Sequence, residues 1–250
     1  MLGVSLVVQL VGILVAGSIA ILVGEAMPGP GSMAIAVAAG ATGVLGILSL
    51  YNGLAVGRMG VVAPVTGVIA ASLPVGAGIL RDGVPGATVL IGIGLALFAV
   101  VLVSRVPGAA GSRSGVEFGI GAGVGIGLFS ILVAGLPEGE VFGPLVIFKI
   151  TSAVVIGLIV VFGRRPWQVG RGSLPVALGV GIADMGGNGL YVLATQAGRL
   201  DIAATLSSLY PVTTVLLAIL FLGERLSRSH AVGIVAAGAA IALITSGTRG

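Results

Sequence analysis

Two ionisable side chains, Lys149 and Asp184, stand in the middle of long apolar runs, and they are where chemistry is to be sought first. A charge at the centre of a membrane helix costs about 2.5–3.5 kcal/mol on insertion scales, so such a group faces protein or a wet cavity rather than lipid. If the ammonium and the carboxylate approach one another, each lowers the other's desolvation cost. They could equally share a bound molecule between them. Two readings stand side by side: a pair that handles a ligand or a proton, and a structural ion pair that fixes helix packing.

Asp184 has polar company at helical spacing. Asp184, Asn188, Tyr191 and Thr195 follow steps of four, three and four, which places them on one face of a helix. Ser207, Tyr210, Pro211 and Thr214 form a similar face further on, and Tyr51 with Asn52 offers a polar pair from the first half. In a membrane helix a polar face implies hydrogen bonds to neighbouring helices or a wet cavity. Pro211 has no N–H and clashes with the preceding turn, so it frees carbonyls that a ligand or water can satisfy. Pro74 and Pro211 are the candidate hinges; Pro64 lies nearer a span end. Each of these polar residues also has a plain reading as packing glue, and it is their convergence on a few helices that points to a substrate-binding site.

The elements that must position these residues are transmembrane helices. Of the 250 residues 57% are hydrophobic and 8% charged, and mean hydropathy is +1.23; soluble domains carry about a quarter charged residues. Nine apolar stretches, at about 3–24, 34–56, 59–80, 87–104, 118–135, 142–163, 174–196, 201–222 and 230–247, are each about long enough to cross a hydrocarbon core some 30 Å thick. The chain therefore reads as an all-α, polytopic membrane protein with no loop long enough for a soluble domain. The first span lacks the basic leader of a signal peptide and is read as a retained helix.

Several function classes recede on composition. The arginines are scattered singly, with no basic patch to meet nucleic acid, despite the net charge of +4. With no cysteine and one histidine, His230, no metal site or bound cofactor is expected. An intramembrane enzyme would need clustered acids or a nucleophile with its base, and no such cluster exists. The glycines at 119, 121, 123, 125 and 127 mimic a nucleotide loop, but no strand precedes them and close helix packing explains them. Gly233 and Ala237 have the small-xxx-small spacing of a helix interface, within the chain or between chains; the oligomeric state is left open.

The chain also repeats itself. Leu50-Tyr51, Gly57-Arg58 and Pro64 in the first half match Leu190-Tyr191, Gly198-Arg199 and Pro211 in the second. Residues 1–107 hold four spans and 118–250 hold five. Two five-helix halves would run in opposite directions, an inverted repeat with its site near the midplane. In that register Gln9 occupies the position of Lys149.

These residues resemble a family. The run Leu206-Ser207-Ser208-Leu209-Tyr210-Pro211-Val212-Thr213-Thr214, followed by Leu222-Gly223-Glu224-Arg225-Leu226, resembles the end of an EamA-type repeat of the drug/metabolite transporter superfamily. Asp184, Asn188 and Ala194-Thr195 resemble the eighth helix of its ten-helix members. The resemblance implies two five-helix repeats and a carrier that exports or exchanges small metabolites, amino acids or drugs. The first repeat departs from the pattern: it lacks the helix equivalent to 118–135, so a misassigned start or a truncation is expected, and Asp82 in Arg81-Asp82-Gly83 stands where Glu224 stands in the second.

A secondary carrier in the cell membrane is the expectation, with a small-molecule substrate, the lipid bilayer as surroundings and proton coupling through Asp184. The alternative is a non-transporting membrane scaffold or a truncated, inactive carrier. Arginines at 58, 105, 113, 164, 165, 171, 225 and 228 share one side, which places Met1 in the cytoplasm; the resemblance implies both termini inside.

Overall fold

Every predicted span is helical. The computed structural model describes residues 2–57, 59–104, 115–164, 167–222 and 227–247. The Gly223-Glu224-Arg225 turn, and with it Arg58, Arg105, Arg113 and Arg165, lies outside them. In chain order the helices are α1 (Leu2–Val23), α2 (Pro30–Val56), α3 (Met59–Asp82), α4 (Ala87–Val103), α5 (Val116–Val133), α6 (Phe142–Phe162), α7 (Leu174–Ala197), α8 (Leu200–Ser207), α9 (Tyr210–Leu222) and α10 (Arg228–Gly247). Among the described residues eight stretches are long and apolar enough to cross a membrane, and α4, at 17 residues, is a shorter apolar helix. Helices suit this setting because each backbone polar group is bonded within its own segment.

Two boundaries differ from expectation for local reasons. Helix α2 begins at Pro30 rather than at 34, because proline's fixed φ suits the first helical position and its missing N–H is unneeded there. The eighth span, expected as one helix, is two: α8 stops at Ser207 and α9 starts at Tyr210. Pro211 offers no N–H to the carbonyl of Ser207, and as the second residue of α9 it sits in a first turn where that N–H is unneeded. The break closes on itself, with Leu209 N–H donating to the Leu206 carbonyl and the Ser208 hydroxyl to the Thr205 carbonyl. Pro64 and Pro74 leave α3 continuous.

The chain divides into two compact units, Met1–Val44 with Ile131–Ala197, and Leu45–Ser130 with Gly198–Gly250. In the first, α1 packs on both α6 and α7. Small residues bring the backbones close: a Cβ at Gly181 would lie 2.7 Å from Val11 Cβ, and one at Gly40 would lie 2.6 Å from Thr151 Cβ. The Ser152 hydroxyl donates to the Gly40 carbonyl at 3.2 Å, tying the first part of α2 to α6.

In the second unit α4 and α10 run antiparallel around Ala96, Ala99, Val100, Ala236, Ala237 and Ala240. Gly233 and Ala237 thus line an interface inside the chain, Gly233 against Val103. The glycine run of α5 does the same work on α3: Gly119 faces Val65, Gly123 faces Ile69 and Gly127 faces Leu73. The Thr66 hydroxyl donates to the Gly119 carbonyl across that seam.

Candidate functional site

Lys149 is the only lysine of the chain and its side chain is 1% exposed, while that of Asp184 is 35% exposed. Its ammonium donates to Asp184 Oδ2 and lies 4.9 Å from the centre of the Phe148 ring. The two residues sit well inside α6 and α7, so the pair is an intramembrane one, as the apolar flanks foretold. Burial makes the pair unequal. The ammonium is sealed among helices and depends on its partner, because an isolated buried charge is costly. The carboxylate retains an open edge.

The lysine's seat is Gly12 of α1. A Cβ there would lie 2.9 Å from Lys149 Cδ and 3.0 Å from Cε, inside ordinary carbon–carbon contact of about 3.5 Å. Glycine here leaves the four-carbon stem room to lie across α1 and reach α7. One turn before Gly12 on the same face is Gln9, whose buried Oε1 has no hydrogen-bond partner among the described residues.

The stripe on α7 is present. Asp184, Asn188 and Tyr191 are half-buried, Thr195 is buried, and they border the packed face made by Gly181, Met185, Gly189 and Val192. The Thr195 hydroxyl donates to the Val192 carbonyl, the local bond that a hydroxyl makes when burial denies it water. The remaining expected residues belong to the second unit. Tyr51 is 41% exposed and Asn52 is exposed beside it. Ser207 and Tyr210 flank the break between α8 and α9, Tyr210 at 60% exposure. Pro211 follows that break, Pro74 is buried inside α3, and the side chain of Thr214 lies outside the described residues.

Two charged assemblies were not foreseen. The Glu25 carboxylate accepts the backbone N–H groups of Val141, Phe142 and Gly143, each at 2.9 Å, and so caps α6. Helix α6 has no side-chain cap of its own, and negative charge at a helix start is favourable. Gly24, in the left-handed region at φ 71°, turns the chain after α1 and sends Glu25 there. The Gln196 amide holds the same loop through the carbonyls of Pro137 and Glu140. A cap acting across 116 positions leaves no local spacing in the sequence to read.

In the second unit Asp201, 0% exposed, is paired with Arg199 at 2.9 Å. The Arg199 fork also donates to the carbonyls of Asp82 and Gly83, joining the end of α3 to the start of α8. Its hydrogen bonds to the Asp201 carboxylate push the guanidinium further above its ordinary pKa, against the opposing effect of desolvation. Beside it lies a cavity of about 400 Å³ lined by Pro85, Gly86, Val89, Ile202 and Gly247. Asp201 lies in the first turn of α8 beside Arg199, where sequence gives it the look of a solvated span end.

A solved crystal structure, described only as that of a protein, shares the fold with a TM-score of 0.77 at 16% identity, over 98% of this chain and 88% of that one. A search among curated proteins finds no match. The model of the EamA-like transporter family matches residues 113–246, more than half of the chain. An all-helical, multi-pass chain with buried charge inside its spans thus belongs to the EamA-like transporter family of the drug/metabolite transporter superfamily, and is a membrane transporter of that type.

Proposed function

We propose that the protein is a secondary carrier that moves a small metabolite or drug-like molecule across the cell membrane, with Asp184 as its proton-responsive group. The observation that supports this most is the unequal burial of Lys149 and Asp184. Sealing both members of a pair adds a desolvation cost that the attraction need not repay, so a carboxylate with an open edge is the easier member to neutralise or re-partner. Here the carboxylate stays reachable, and its neutralisation by a proton or capture by a ligand leaves a buried ammonium in need of a new partner. Such a change in pairing is the differential interaction that a two-state carrier requires.

The architecture we infer for the carrier is two repeats, 1–107 and 118–250, of opposite orientation. Asn188 and Tyr191 extend the acceptor and donor surface along α7, and Tyr51, Asn52, Ser207, Tyr210 and Thr214 are assigned to substrate. The break before Pro211, with Pro74 in α3, supplies the places where helices bend. The test is uptake of a panel of labelled small metabolites into proteoliposomes with and without a pH gradient. Asp184→Asn should retain folding and lose the response to the gradient. A variant that keeps gradient-driven uptake removes Asp184 from the coupling mechanism.

A further inference from the structure

The geometry points to Gln9 as a second station for the Lys149 ammonium, a positioning residue that receives it when Asp184 is neutralised or engaged elsewhere. This rests on the reading that the Lys149–Asp184 pair opens during the cycle. Three observations carry it. The Gln9 Oε1 is buried and has no donor among the described residues, a rare condition, since buried acceptors are nearly always bonded. Gln9 and Gly12 are three apart on α1 and share a face, and it is against Gly12 that the Lys149 Cγ, Cδ and Cε lie. Finally, Lys149 has N–H groups beyond the one it gives to Asp184 Oδ2.

A turn of helix is about 5.4 Å, within the sweep of a four-carbon stem pivoting over a glycine. Within the spans of this unit the titratable groups are Lys149, Asp184 and Tyr191 alone, so no other carboxylate there competes for the ammonium. A neutral amide oxygen suits the role, because it holds the ammonium more weakly than a carboxylate and releases it when Asp184 ionises again. The station therefore biases the equilibrium without trapping it.

The single lysine makes the test direct. The full chain, labelled with 15Nζ-lysine, 13Cγ-aspartate and 13Cδ-glutamine, is reconstituted in liposomes and nitrogen–carbon dephasing is measured by solid-state NMR. In the unaltered chain at neutral pH the lysine signal is dephased by aspartate. In Asp184→Asn it should be dephased by glutamine at about 4 Å, the sum of a hydrogen bond and a carbonyl bond, and the added change Gln9→Leu should abolish that dephasing. Absence of glutamine dephasing in Asp184→Asn, or its survival in Gln9→Leu, overturns the assignment. If Asp184→Asn does not fold, acidification of the otherwise unaltered chain, with and without Gln9→Leu, gives the same two outcomes. No transport is measured, so a failed carrier reading and a failed second station are told apart.

Discussion

Gly12 offers the sharpest test of how the site is built, because its only evident task is to leave space. A Cβ at that position would sit 2.9 Å from Lys149 Cδ, so in Gly12→Ala the stem must retreat by about 0.6 Å to reach ordinary contact. The stem is flexible enough to do so, and alanine gains about 1 kcal/mol of helix propensity over glycine. Gly12→Ala should therefore change stability by less than about 1 kcal/mol and leave the ion pair closed. Gly12→Val adds two methyl groups where the stem now lies and drives the ammonium off Asp184. Removing a partner from a buried pair costs about 3–5 kcal/mol; with about a third of Asp184 exposed, a smaller loss of about 2–3 kcal/mol applies here. The measurements are thermal unfolding in detergent and uptake in proteoliposomes. Valine should lower both, to the level of Lys149→Met, and in a Lys149→Ala background, where no stem is left to clash, it should cost little, giving a coupling of at least about 1 kcal/mol. Unfolding and uptake unchanged in Gly12→Val would refute the claim that this glycine seats the lysine.

Other outcomes follow from the same reasoning. Glu25→Ala strips α6 of its cap and should lower stability by about 1–2 kcal/mol, seen as faster hydrogen exchange at Val141 to Gly143. Arg199→Lys keeps the charge and loses the fork, leaving Asp201 and two carbonyls short of donors; a loss of about 2 kcal/mol in thermal unfolding is expected. The Arg199 contribution should not vary with pH near neutrality. Its pKa is raised on folding, so the stability is fully present below the ordinary arginine value and is lost only as pH climbs through the raised one. Pro211→Ala restores an N–H to the helix ladder and should stabilise the α8–α9 stretch while slowing uptake, measured as initial rate in proteoliposomes. Equal rates would show that the break is not a hinge.

Much of this molecule was legible because lipid imposes a simple grammar. Apolar runs of about twenty residues become helices whatever their neighbours, so the spans were placed to within a few residues. Lys149 and Asp184 stood out for the same reason: against an apolar background two charges must seek company, and they found each other. The α7 stripe followed from spacing alone. What escaped was whatever depends on distance along the chain. Glu25 meets α6 across 116 positions, and no local pattern announces it. Gly12 looked like one of 45 glycines, and only the path of the lysine stem sets it apart. The split of the eighth span was half visible: Pro211 marked a weak point, but whether a proline bends or breaks a helix depends on the packing around it, as Pro74 inside an unbroken α3 shows.

The cap on α6 has a bearing on biogenesis. Its carboxylate is translated more than a hundred residues before the amides it serves, so when the sixth helix leaves the ribosome its anchor already waits at the membrane surface. In the folded chain, then, the start of a later helix is held by a glutamate made well before it.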